Sequence, residues 1–67
     1  MTYYIINAFT QGALKGNPAC VIPLENWPSD GEMQEIAIKM GLAETAFFVP
    51  EKDGFRLRWF TPDLEID

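Results

Sequence analysis

Sixty-seven residues form at most one small domain, and a chain this short buries only about 60% of the surface it exposes when unfolded. Cys20 is the only cysteine and histidine is absent, which excludes an internal disulfide and removes the commonest metal ligand. With 48% apolar and 22% charged residues the chain reads as folded, while its net charge of −5 argues against nonspecific binding to nucleic acid or an anionic membrane.

The start, MTYYIINAFT, lacks a basic flank before a long apolar core and is not a signal peptide; nowhere does an apolar run approach the ~20 residues of a membrane span. With a single unpaired cysteine, this leads us to expect a soluble, cytoplasmic protein. Tyr3 to Phe9 is rich in β-branched and aromatic residues and reads as a strand, apolar on both faces and therefore expected to be covered on both. Gln11 to Pro18 follows as a loop punctuated by Gly12, Gly16 and Pro18, with Asn17 biased toward extended backbone by the proline after it. Ala19 to Ile22 reads as a second strand, ended by Pro23.

A helix is expected from about Ser29 to Met40. Ser29 and Glu32 match a capping box, and Pro28 and Met33 stand where a hydrophobic staple forms. Met33, Ile36, Ala37 and Met40 fall at helical spacing and define the buried stripe. Gly41 supplies the left-handed position that stops the helix, with Leu42 packing back on its last turn. Thr45 to Val49 and Phe55 to Phe60 then read as an antiparallel hairpin with a longer loop marked by Asp53-Gly54. In its second strand Phe55, Leu57 and Trp59 share one face, and Arg56 and Arg58 the other. After Thr61-Pro62 the chain is polar, with no further element expected. The order gives an α+β fold, one helix against a mostly antiparallel sheet. One helix cannot cover both sheet faces, so apolar surface must meet something outside these residues.

Glu44 is the candidate catalytic residue. It lies in Gly41-Leu42-Ala43-Glu44-Thr45-Ala46-Phe47-Phe48-Val49, among mostly apolar neighbours. A carboxylate desolvated in such surroundings gains the character of a general acid or base; a carboxylate in a solvated connection does not. The Lys15-Gly16-Asn17-Pro18 loop is no P-loop, since G-x-x-x-x-G-K-[ST] is absent. Gly16 and Asn17 would let backbone N–H groups approach an anionic ligand, or simply connect two strands. Phe55 to Phe60 interleaves arginine with aromatics as single-strand nucleic-acid readers do, but two arginines on an acidic chain make a poor track. Cys20, in an apolar strand without a cationic neighbour, reads as a small core hydrophobe.

Several segments together resemble one family. Phe9-Thr10, Gly16-Asn17-Pro18-Ala19, Met33-Gln34-x-Ile36-Ala37, Glu44-Thr45-Ala46-Phe47 and Arg58-Trp59-Phe60-Thr61-Pro62 with Glu65 are similar, in order and spacing, to the start of PhzF-like isomerases of phenazine biosynthesis. The resemblance implies a diaminopimelate-epimerase-like architecture of two domains, each a sheet curled around a central helix. Residues 1–67 would be the amino-terminal portion of the first domain. Directly after Asp67 such proteins usually carry a Cys-Gly-His-Ala-Thr segment opening the central helix, which this chain does not contain. Where Cys20 stands, alanine is more usual.

The family's glutamate falls on Glu44, with the role of a proton shuttle. It takes a proton from one carbon of a small cyclic or amino-acid-like substrate and returns one elsewhere, without cofactor or metal. The best-known substrate is a dihydro-hydroxyanthranilate. Partners implied are that small molecule and either the remainder of the enzyme or a second copy of the chain. A non-catalytic module that oligomerises through open sheet edges is the alternative reading.

Overall fold

The computed structural model describes residues 2–8 and 17–66. In chain order the elements are β1 (Tyr4–Ala8), β2 (Asn17–Pro23), α1 (Asp30–Met40), β3 (Glu44–Glu51), β4 (Gly54–Phe60) and β5 (Glu65–Ile66). They form an α+β unit, a five-stranded sheet in the order β1-β2-β3-β4-β5 with one helix against it. Only β2 and β3 run parallel; the other neighbours are antiparallel. Parallel neighbours need a crossover, and α1 supplies it.

The helix has the ends its sequence dictates. Ser29 and Glu32 form the capping box: the Glu32 N–H donates to the Ser29 hydroxyl at 3.1 Å, and the Ser29 N–H to the Glu32 carboxylate at 2.9 Å. At the other end Gly41 takes φ 67°, and its N–H donates to the Ala37 carbonyl at 3.2 Å. Met33 and Ala37 are fully buried, and Ile36, Met40 and Leu42 pack around them.

Register assigns every strand residue to one of two faces, because successive side chains alternate. Cys20 and Ile22 stand beside Thr45 and Phe47, and these beside Phe60 and Arg58. This is the helix face, where Cys20, Ile22, Phe47 and Phe60 close a core with Met33 and Ala37. Phe47 and Phe60 meet edge-on, ring centroids 5.5 Å apart. Cys20 is buried there, as its apolar setting led us to expect, and burial pushes its thiol pKa up.

The opposite face carries Tyr4, Ile6, Ala19, Val21, Ala46, Phe48, Phe55, Leu57, Trp59 and Ile66 in register. No described element lies across it. Ala19 and Ala46 at its middle are buried, but Tyr4 remains 57% exposed, Ile6 46%, Phe55 60% and Leu57 45%, so the flanks of this apolar surface are open among the described residues. Along β4, Phe55, Leu57 and Trp59 therefore face away from α1, while Arg56, Arg58 and Phe60 face toward it.

Three expectations needed revision. The hairpin loop is short, because β3 runs on to Glu51, which pairs with Gly54, leaving Lys52 and Asp53 as the turn. Gly54, at φ 150°, takes a backbone angle that other residues rarely adopt. The polar stretch after Thr61 holds the short strand β5, which was not foreseen. The second strand begins at Asn17 and not at Ala19, so Asn17 and Pro18 belong to it and not to the expected loop.

Candidate active site

Glu44 is positioned by the end of α1. Gly41 stops the helix, Leu42 anchors the connection against the core, and after Ala43 the chain enters β3 with Glu44 as its first residue. Its register partner in β2 is Ala19. By alternation Glu44 shares the open face with Ala46 and Phe48, while Thr45 points into the core. Glu44 is half-buried, at one end of an apolar surface.

Thr45 is the reverse case. It is wholly buried beside Cys20 and Phe60, and its hydroxyl has no hydrogen-bond partner among the described residues. A buried hydroxyl without a partner costs free energy, so the residue after Glu44 sits in the core at a penalty.

Of the two residues expected to bind substrate, Gly16 lies outside the described residues. Asn17 is described through its backbone, which opens β2 opposite Ala8. Because β2 and β3 are parallel, position 17 lies at the sheet end where Glu44 begins β3. At the same end the last β3–β4 pair is Thr45 with Phe60, so Glu44 and Thr61 are the next residues beyond that pair on their two strands.

A second polar cluster escaped the sequence reading. Arg58 donates from Nε and Nη2 to both carboxylate oxygens of Glu65, at 2.8 and 2.7 Å, and from Nη2 to Asp30 at 3.0 Å. Its guanidinium lies 5.5 Å from the Trp27 ring centroid and 5.8 Å from that of Phe60. The arginine holds the Glu65 carboxyl below the usual carboxylate range. Alternation along β4 put Arg58 on the face opposite Phe55, Leu57 and Trp59, but foretold neither that this is the helix face nor its three-way pairing. A groove of about 500 Å³ runs along this edge, lined by Trp27, Arg58, Trp59, Glu65 and Ile66 among others; Glu44 does not line it.

Residues 6–67 match the family model described as phenazine biosynthesis-like protein, PhzC-PhzF. The chain belongs to this family. It is 52% identical over 64 residues to a protein named an uncharacterized isomerase in Halalkalibacterium halodurans, covering 96% of this chain and 24% of that one. Among solved structures it resembles a PhzF-family protein of Enterococcus faecalis, with TM-score 0.84 and 54% identity over 97% of this chain and 25% of that one. A predicted epimerase of Pseudomonas aeruginosa has the same fold over 96% of this chain and 23% of its own, at TM-score 0.80 and 29% identity. The PhzF-like chain therefore spans about a quarter of the length of the relatives it matches. Among the described residues no helix is long and apolar enough to cross a membrane.

Proposed function

We propose that this chain is the amino-terminal portion of the first domain of a cofactor-independent isomerase in which Glu44 moves a proton on a small cyclic or amino-acid-like metabolite. The observation that carries this reading is the place of Glu44 at the rim of the open apolar face. Once that face is covered, by the remainder of the enzyme or by a second copy of the chain, the carboxylate is shielded from water beside a hydrocarbon wall. Proton abstraction from carbon requires such shielding together with fixed orientation.

In the step itself, the ionised Glu44 carboxylate accepts a proton from a substrate carbon as that C–H bond breaks. The electron pair shifts through the adjacent double bond, and a new C–H bond forms at its far end with a proton delivered from the Glu44 carboxyl. Substrate and product have the same composition, and neither cofactor nor metal enters the balance. Asn17 and the neighbouring Gly16 would supply backbone donors to an anionic group of the substrate. A cytoplasmic location suits a metabolite-converting enzyme of this kind.

The reading is tested in a hybrid protein, with residues 1–67 replacing the matching quarter of the Enterococcus faecalis relative. Conversion of a dihydro-hydroxyanthranilate, and of the pools in a bacterial metabolite extract, is followed chromatographically. We expect turnover by the hybrid, none by the 67-residue chain alone, and a loss of at least about 10²-fold in Glu44→Gln with the fold intact. Full activity in that variant removes Glu44 from the chemistry. A non-catalytic module associating through open edges is the weaker reading: an isomerase name is carried by a relative 52% identical to this chain.

A further inference from the structure

Two family-like segments, Met33-Gln34-x-Ile36-Ala37 and Arg58 to Glu65, meet in one polar seam that the proposed chemistry does not use. Asp30 and Gln34 are four residues apart on α1 and so lie on the same side of the helix. Both reach β4 or its end. Asp30 accepts from Arg58 at 3.0 Å, and Gln34 Nε2 donates to the Thr61 carbonyl at 2.9 Å.

Thr61 is itself the centre of a closed turn. Its hydroxyl accepts from the N–H groups of Asp63 and Leu64 at 3.1 and 3.0 Å, and its own N–H donates to the Leu64 carbonyl at 2.8 Å. Beyond the turn, β5 is held by the two-pronged grip of Arg58 on Glu65. The Thr61–Leu64 turn is thus pinned from α1 on one side and from β5 on the other, at the end of the sheet where β3 begins.

Helix α1 is also what delivers Glu44, through Gly41 to Ala43. Apolar packing of Met33 and Ala37 fixes the distance of the helix from the sheet, but such contacts are non-directional. The hydrogen bond from Gln34 is directional. With the Asp30–Arg58 contact, it constrains the rotation and sliding of the helix relative to β4 and its end.

We propose that Gln34 is a positioning residue for Glu44, acting through the Thr61–Leu64 turn. The inference rests on the proposed role of Glu44. It identifies Gln34 as part of the support that keeps the carboxylate within the tolerance proton transfer demands, where misplacement by about 1 Å costs on the order of 10²-fold in rate.

The test uses Gln34→Met, which keeps the length of the side chain and loses the donor, and Gln34→Lys, which restores one. In isotopically labelled 67-residue chain, Gln34→Met should shift the amide and side-chain resonances of residues 43–45 and 61–64, with those of β1 and β2 unmoved; Gln34→Lys should return them toward wild type. In the hybrid protein, Gln34→Met should lower turnover of dihydro-hydroxyanthranilate about 10-fold or more at unchanged KM, with rescue by Gln34→Lys. Unmoved Glu44 resonances, or full turnover in Gln34→Met, overturn the positioning role even if thermal stability falls. Should the methionine variant fail to fold, Gln34→Leu, which likewise lacks the donor and adds no charge, takes its place with the same expected results. Glu44→Gln is measured alongside: activity retained there refutes the proton-shuttle reading and this inference with it, whereas loss in Glu44→Gln beside full activity in Gln34→Met refutes the inference alone.

Discussion

Phe47 and Phe48 are neighbours in β3 that face opposite sides of the sheet, and truncating each in turn tests which face forms the core. Phe47 is fully buried against Phe60 and the helix. A buried Phe→Ala change costs about 3–5 kcal/mol, and a 67-residue domain has about 3–10 kcal/mol in all. Phe47→Ala should therefore remove most of the stability of the chain. Phe48, half-buried on the open face, has its edge-on contact with Phe55 at 5.8 Å, an arrangement contributing about 0.5–1.5 kcal/mol beyond its buried area. We expect Phe48→Ala to cost about 1–2 kcal/mol in the isolated chain. Urea unfolding followed by circular dichroism reads the difference: at a slope of about 1 kcal/mol/M, the midpoint of Phe47→Ala should lie about 2 M below that of Phe48→Ala. In the hybrid protein, with the open face covered, the cost of Phe48→Ala should rise toward that of Phe47→Ala. Equal costs in the isolated chain, within about 0.5 kcal/mol, would refute the assignment of faces.

Thr45→Val replaces a buried, unpartnered hydroxyl with a methyl of the same shape, and should stabilise the chain by about 1 kcal/mol, raising Tm by about 4–8 °C in a thermal melt; a lower Tm would show that the hydroxyl is satisfied. Ser29→Ala removes the helix cap and should cost about 1 kcal/mol near neutral pH. The pH dependence follows from Glu32, whose carboxyl is held below its ordinary value by the Ser29 N–H first and the Ser29 hydroxyl second. A carboxyl depressed in the folded state contributes stability above its unfolded pKa and loses it as pH falls through the folded one. The deficit of Ser29→Ala, measured by urea unfolding, should thus be larger at pH 7 than at pH 3, and Glu32→Gln should flatten that dependence.

The features that local chemistry determines were legible in the sequence. The helix and both its ends follow from Ser29, Glu32, the spacing of Met33 and Ala37, and Gly41, all within a few residues of one another. Alternation along β4 separated Arg56 and Arg58 from Phe55, Leu57 and Trp59. What local pattern does not contain is which side the helix takes: that depends on the parallel pairing of β2 with β3, a contact across the whole crossover. Strand β5 was missed for a related reason. Two residues carry no periodic signal, and Glu65-Ile66 is a strand only through its pairing with Trp59 and Phe60 across the Thr61 turn and the grip of Arg58. Glu44 stood out as an acid among apolar neighbours, but a single acid does not specify a reaction; the surrounding segments linked it to a family, and register placed it at the rim of the open face.

The most direct measurement is isotopic. The hybrid protein is incubated in heavy water with the metabolite it is found to convert, and mass spectrometry counts the solvent deuterium carried into product. Because a shielded carboxyl hands on the proton it has just taken, we predict less than one solvent deuterium per turnover at the newly formed C–H position, and neither product nor label in Glu44→Gln. Undiminished labelling by that variant would contradict the account, because the migrating proton would then belong to another group.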